Sequence, residues 1–261
     1  MDDSVEFESS RRKAIKKLGE DESIRTLSND WFERSIDLRY SYNFNWLGRP
    51  VIQYPQDIVA LQEIIWECKP DLIIETGVAR GGSVCLSASM LATLDMCDAL
   101  TNGPLSDFPN PSRKVIAIDI DIRKHNHDAL KAHPLFPYMH LIQGSSVADD
   151  VVAEVKKIAK SYNSIMVILD SNHTHDHVLA ELQLYSDLVT DNSYCVVFDT
   201  VIENLPKNMH PDRPWEPGNS PMTALDEFLA NNSDFSINGE IDAKLQLSVA
   251  PRGYLKKQAT S

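Results

Sequence analysis

Asp71-Leu-Ile-Ile-Glu-Thr-Gly-Val-Ala-Arg-Gly-Gly-Ser83 is a short apolar run that ends in an acid and opens into glycines just before a helical pattern. Leu72, Ile73 and Ile74 read as a strand buried on both faces. Gly77, Gly81 and Gly82 allow a tight turn and a close backbone approach to a ligand. Ser83 is expected to cap the next helix, whose free N–H groups attract a carboxylate or a phosphate. The loop alone does not say which.

The glycine spacing narrows the choice. A dinucleotide fingerprint needs Gly-x-Gly-x-x-Gly, whereas three non-glycine residues separate Gly77 from Gly81-Gly82, and no P-loop lysine is present. Glu75-x-Gly77 resembles instead the first motif of class I S-adenosylmethionine-dependent methyltransferases, in which the glycine turn lies against the amino-acid part of the cofactor.

At 261 residues with 43% hydrophobic content, the chain can bury one sizeable core. A helical, polar N-terminal extension over residues 1–45 is expected to carry Trp31, Phe32 and Ile36 for docking, ahead of one catalytic domain over 46–261. The net charge of −13 argues against a nucleic-acid substrate, because phosphate binding relies on accumulated Lys and Arg. No apolar stretch looks long enough to span a membrane, and the acidic N-terminus lacks the basic start of a secretory signal, so a cytoplasmic location is expected. Cys68, Cys85, Cys97 and Cys195 have neither metal-finger nor redox spacing and are expected to be free thiols.

Beyond the glycine loop, helical and extended patterns alternate. Strands are expected at Lys114–Asp119, Met139–Gln143, Ser164–Asp170 and Tyr194–Asp199, with a Pro/Gly-rich loop between Asn102 and Pro111. A helix from Pro221 to about Asn231 follows a long loop, and Phe235–Ile237 with Leu245–Ala250 is expected to form a final antiparallel pair. The fold class is therefore α/β: a mostly parallel central sheet with helices on both faces.

Ligands of such a sheet sit at the carboxyl ends of its strands. Glu75, Asp119, Gln143-Gly144-Ser145, Asp170 and Asp199 all stand at such ends and should line one crevice. Asp119 suits a ribose diol, since a carboxylate accepts two hydrogen bonds, and Gln143-Gly-Ser-Ser146 is placed for an adenine. If their strands are adjacent, Asp170 and Asp199 form two unpaired carboxylates in one cleft, which call for a cation, and Mg2+ suits an all-oxygen site. It would lower the pKa of a coordinated substrate hydroxyl while His173 takes the proton.

Together these segments resemble the cephalosporin hydroxylase and rhamnosyl O-methyltransferase family. The matching features are Trp46-Leu-Gly48, Gln53-x-Pro55-x-Asp57, Lys69-Pro-Asp-Leu-Ile-Ile-Glu-Thr-Gly77 with Ala79-Arg-Gly-Gly-Ser83, Ile118-Asp119, Gly144-Ser145, Leu169-Asp170 with His173, Asp199-Thr200, and Pro221 through Phe228-Leu229. The resemblance implies a Rossmann-like class I methyltransferase fold, homo-oligomeric assembly, and O-methylation of a small-molecule hydroxyl, often on a sugar. It places S-adenosylmethionine against Glu75, Thr76, Gly77, Arg80, Gly81, Gly82, Ser83, Asp119, Gly144, Ser145 and Asp170. His173 and Asp170 are then catalytic, and Asp170 and Asp199 hold the metal. Phe198 stands where the family pattern has a glutamate ligand; Glu203 in the following loop either compensates or is turned away by the loop's geometry.

Two other readings compete. His173-Thr-His-Asp-His177 is one residue short of the His-x-His-x-Asp-His run of metallo-beta-lactamase-like hydrolases, and would make a metal-dependent hydrolase or oxygenase. A non-catalytic S-adenosylmethionine-binding protein is the third, suggested by Phe198.

Overall fold

The computed structural model describes residues 3–103 and 111–259. Its centre is a seven-stranded sheet: β1 (Leu72–Thr76), β2 (Lys114–Asp119), β3 (Met139–Gln143), β4 (Ile165–Leu169), β5 (Tyr194–Val197), β6 (Phe235–Ile237) and β7 (Tyr254–Lys257). The spatial order is β3-β2-β1-β4-β5-β7-β6. The first five are parallel, and β7 pairs antiparallel with both β5 and β6. Strand order therefore reverses between β1 and β4, where a parallel sheet opens its binding crevice.

The apolar strand runs sort between two faces. Ile73, Val115, Ala117, Met166, Ile168 and Val196 belong to one buried cluster, with residues of α3 (Pro55–Cys68) and α4 (Gly82–Asn102). Leu72, Ile74, Ile116, Ile118, Val167 and Leu169 belong to the other, beneath α6 (Asp149–Ala159), α7 (His175–Tyr185) and α8 (Pro221–Asn231). Each such side chain contributes about 1.5–3 kcal/mol on burial, so register is strongly specified on both faces.

α4 runs to Asn102, and most of the Pro/Gly-rich segment expected after it lies outside the described residues. Contrary to expectation, α4 is long and apolar enough to cross a membrane by length and composition, but half of that window is buried inside the fold. Its start also differs: Gly81, at φ 82°, is the N-cap, and Ser83 lies inside the first turn without capping it.

The expected strand at Leu245–Ala250 is absent. Asn238 accepts a hydrogen bond from the Glu240 N–H and starts a helix, α9 (Gly239–Leu245), while the strand falls later, at β7. Residues 246–250 form a connection pinned by Asp57, whose buried carboxylate accepts bonds from Ser248 Oγ, the Val249 N–H and Tyr254 Oη. Their apolar side chains, Leu247 partly and Val249 and Ala250 fully, pack against the core without forming a sheet face.

Two helices, α1 (Asp3–Glu20) and α2 (Glu22–Asp37), precede the sheet. Phe32 of α2 is buried and stacks on Tyr54, with ring centroids 4.7 Å apart, and Ser35 Oγ meets Tyr54 Oη at 2.6 Å. Trp31 is half exposed and meets Tyr40 edge-on. α5 (Lys124–Lys131) covers the glycine loop through Leu130.

Candidate active site

Gly77 lies at the carboxyl end of β1 with φ 93°, and a Cβ there would sit 2.0 Å from the Asp170 carbonyl oxygen. Only glycine lets the ends of β1 and β4 come this close. Gly82 is equally constrained: its missing Cβ would fall 2.2 Å from the Pro50 carbonyl oxygen, so residues 50–54 strap across the start of α4. Arg49 secures this strap, donating twice to the Arg80 carbonyl and once to Asn126 Oδ1. Within it, Ile52 adopts φ 50°, an uncommon conformation for a β-branched residue, and sits beside Gln53.

Two connected hollows follow. The larger, about 710 Å3, is lined by Gly77, Arg80, Gly82, Ser83, Asp170, His173 and Asp199, together with the strap and the 201–215 loop. The smaller, about 280 Å3, is lined by Gly77, Asp119, Ser145, Ser146, Ser171, His177 and Trp215. Gly77, Ser171, His173, Arg213 and Trp215 border both.

Asp170, His173 and Asp199 converge, with one ligand atom from each lying within 4.8 Å of the others. His173 Nε2 is 3.1 Å from Asp199 Oδ2, and Gln53 Nε2 donates to Asp170 Oδ2 at 3.0 Å. Burial first, and then the negative charge of Asp199, push the Asp170 carboxyl well above the usual carboxylate range. Asp199 itself sits at φ 56°, a left-handed conformation that costs energy and recurs at functional sites.

Phe198 is buried in the core cluster on the α3/α4 side of the sheet and offers no ligand. Glu203 does not compensate: its Oε2 accepts bonds from the Gly218 N–H and Ser220 Oγ, bracing the loop before α8.

The three histidines of His173-Thr-His-Asp-His177 separate. His175 contacts Thr223 and Glu227 on α8, and His177 contacts Ser146, Ser171 and Glu181, so only His173 joins the acidic pair. Among the described residues this run forms no metal cluster, and the hydrolase or oxygenase reading built on it loses its ligands.

Asp119 is less free than expected. Its Oδ2 accepts the Val78 and Ala79 N–H groups at 2.8 and 3.1 Å, and Oδ1 accepts the Asp121 N–H at 3.0 Å. Three of its roughly four acceptor positions are thus engaged by the backbone, which holds the carboxylate in place at the edge of the smaller hollow. Glu75 and Thr76 are buried beneath the loop, Gly81 packs under Leu130, and Gly144 fits against Val151. Ser87 Oγ donates to Glu75 at 2.9 Å, and burial lifts the Glu75 carboxyl from 4.5 to about 7.

Two contributors were not assigned a role from sequence. Gln53 was visible only as part of the Gln-x-Pro-x-Asp string. Glu181, fully buried on α7, carried no local signal, yet it accepts Ser146 Oγ at 2.5 Å and Ser171 Oγ at 2.7 Å. Both hydroxyl hydrogens are therefore committed to Glu181 Oε1. The two serine oxygens are left with lone pairs beside the smaller hollow.

Residues 38–258 match the family model "Rhamnosyl O-methyltransferase/CmcI". A rhamnosyl O-methyltransferase of Mycobacterium tuberculosis is 30% identical over 206 residues, spanning 76% of this chain and 72% of that protein. The Mycobacterium leprae protein of the same name is 28% identical over 212 residues, 80% of this chain and 81% of that one. Among solved structures, CmcI with Mg and SAM superposes with a TM-score of 0.55 at 18% identity, covering 84% of this chain and 78% of that chain. An SAH-bound Podospora anserina methyltransferase gives 0.51 at 11% identity, covering 91% of each. The chain belongs to the rhamnosyl O-methyltransferase/CmcI family of S-adenosylmethionine-dependent O-methyltransferases.

Proposed function

We propose that this enzyme methylates a hydroxyl of a sugar or glycoside, with His173 as general base and with Asp170 and Asp199 holding Mg2+. The observation that carries this is the meeting of Asp170, His173 and Asp199 beside the glycine loop, at the point where strand order reverses. S-adenosylmethionine, when bound, supplies a methyl group activated by its sulfonium. The forced closeness of Gly77 to Asp170 and the lone pairs of Ser146 and Ser171 fit its two ends: a backbone cradle for the amino acid and acceptors for the adenine 6-amino group.

With its Nε2–H turned to Asp199, His173 takes the proton of the acceptor hydroxyl on Nδ1 as the O–CH3 bond forms and the S–CH3 bond breaks. Asp199, 3.1 Å from Nε2, orients the imidazole and offsets the charge it gains. Gln53 fixes one oxygen of Asp170, and Trp215, 6.0 Å from the His173 ring, gives an apolar wall on which a sugar face can stack. Two carboxylates in one cleft, one held above the usual carboxylate range by burial and then by the charge of the other, fit a hard divalent cation. Bound there, Mg2+ would act as a Lewis acid on the acceptor oxygen.

His173→Ala is expected to lower the transfer rate by about 10²–10⁴-fold, the usual contribution of a general base. S-adenosylhomocysteine binding, measured by calorimetry, should be unchanged. Normal turnover in the variant would remove His173 from the reaction.

A further inference from the structure

The larger hollow carries more positive charge than the cofactor alone calls for. The chain has a net charge of −13, and Arg11, Arg12, Arg25, Arg113, Arg123 and Arg252 each form an ion pair with a neighbouring carboxylate. Of the five arginines with no ion pair among the described residues, Arg34, Arg39, Arg49, Arg80 and Arg213, three share a place: Arg39, Arg80 and Arg213. They come from three segments, the turn after α2, the glycine loop and the 205–219 loop, yet all three line the hollow that holds Asp170, His173 and Asp199. None has a carboxylate partner among the described residues. The Arg39 guanidinium lies 4.3 Å over the ring of Tyr42, another lining residue, and the backbone of Arg80 is held by Arg49. Acids in the same lining are Asp37, Asp170 and Asp199; the last two engage Gln53 and His173.

A strongly acidic protein repels anions at long range, so an anionic ligand must be met by cations gathered where it docks. Guanidinium groups suit that role, because their planar forks match carboxylate and phosphate oxygens. The single carboxylate of the cofactor does not call for three of them on separate segments.

We propose that the methyl acceptor is itself an anion: a hydroxylated compound of the sugar class carrying a carboxylate or a phosphate, held by Arg39, Arg80 and Arg213 with its hydroxyl at His173. This rests on the methyl-transfer reading of the site. The test is calorimetry on the full chain, first with S-adenosylhomocysteine, then, at saturation, with glucuronate, glucose 1-phosphate and neutral methyl glucoside. At least one anionic probe should bind about tenfold or more tightly than methyl glucoside, the yield of one charge-assisted bond. Added salt should shrink the advantage, and the stronger anion identifies the oxyanion. Arg39→Gln and Arg213→Gln should each reduce the preference several-fold, with S-adenosylhomocysteine affinity unchanged in Arg39→Gln. Equal binding of all three probes, no binding of either anion, or a preference that survives in the double variant would overturn the proposal. So would a loss of S-adenosylhomocysteine affinity in Arg39→Gln, which would assign that arginine to the cofactor. Failure of the first titration overturns the cofactor reading and this proposal together, whereas cofactor binding without an anion preference overturns this proposal alone.

Discussion

At the scale of single residues, hydrogen-bond direction decides more than residue type. Serines accept and donate equally, but Ser146 and Ser171 both give their hydrogens to Glu181, and His177 Nε2 lies 3.1 and 3.2 Å from the same two oxygens. The wall they form therefore favours a ligand that donates, such as a 6-amino purine over a 6-oxo purine. Ser146→Ala should weaken S-adenosylhomocysteine by about three- to tenfold, the worth of one hydrogen bond, and leave the 6-oxo analogue S-inosylhomocysteine nearly unaffected. Equal losses for both compounds, measured by competitive titration, would show that Ser146 does not read the amino group. Histidine tells the same story, since the neighbours of His173, His175 and His177, rather than their spacing, assign them to three different places.

At the scale of elements, β1 carries the account. It is buried from Leu72 to Thr76 and ends in the turn that only glycine permits. It also buries an acid, Glu75, whose carboxyl rises from 4.5 to about 7 because it is withdrawn from water. Between those values the folded chain binds more protons at Glu75 than the unfolded chain does, so stability falls as pH rises from 4.5 to about 7 and is flat beyond it. Glu75→Gln should remove this component, on the order of 1–3 kcal/mol, and flatten the pH dependence of the urea midpoint over that window. An unchanged slope would mean that Glu75 is not the group that titrates.

The boundaries of β1, β2 and β3 were legible because apolar runs ended in acids or turns. Asp170, His173 and Asp199 were legible as polar residues at strand ends, where a parallel sheet places its ligands. The final strand was not. Leu245-x-Leu247-x-Val249 alternates like a strand, but Asn238 caps a helix just before it and Asp57, far away in sequence, holds Ser248 and Val249 in a connection. The strap over α4 was equally hidden, since nothing local in Pro50–Tyr54 announces that it will meet Gly82.

At the scale of the whole molecule, the site is assembled from distant parts. The 36–42 turn, the strap, the glycine loop, the ends of β4 and β5 and the 201–215 loop all border one hollow. α2 reaches it because Phe32 stacks on Tyr54, so the segment before residue 46 helps line this hollow. The central claim is that this hollow carries out cation-assisted methyl transfer to a hydroxyl. It is tested most directly by transfer of labelled methyl from S-adenosylmethionine to hydroxylated sugars, among them glucuronate and glucose 1-phosphate, with Mg2+ and with a chelator in excess. The account predicts labelled product with Mg2+, near-complete loss with chelator and recovery on restoring Mg2+. Product formed at the same rate with and without chelator, or no transfer to any sugar tested, would contradict it.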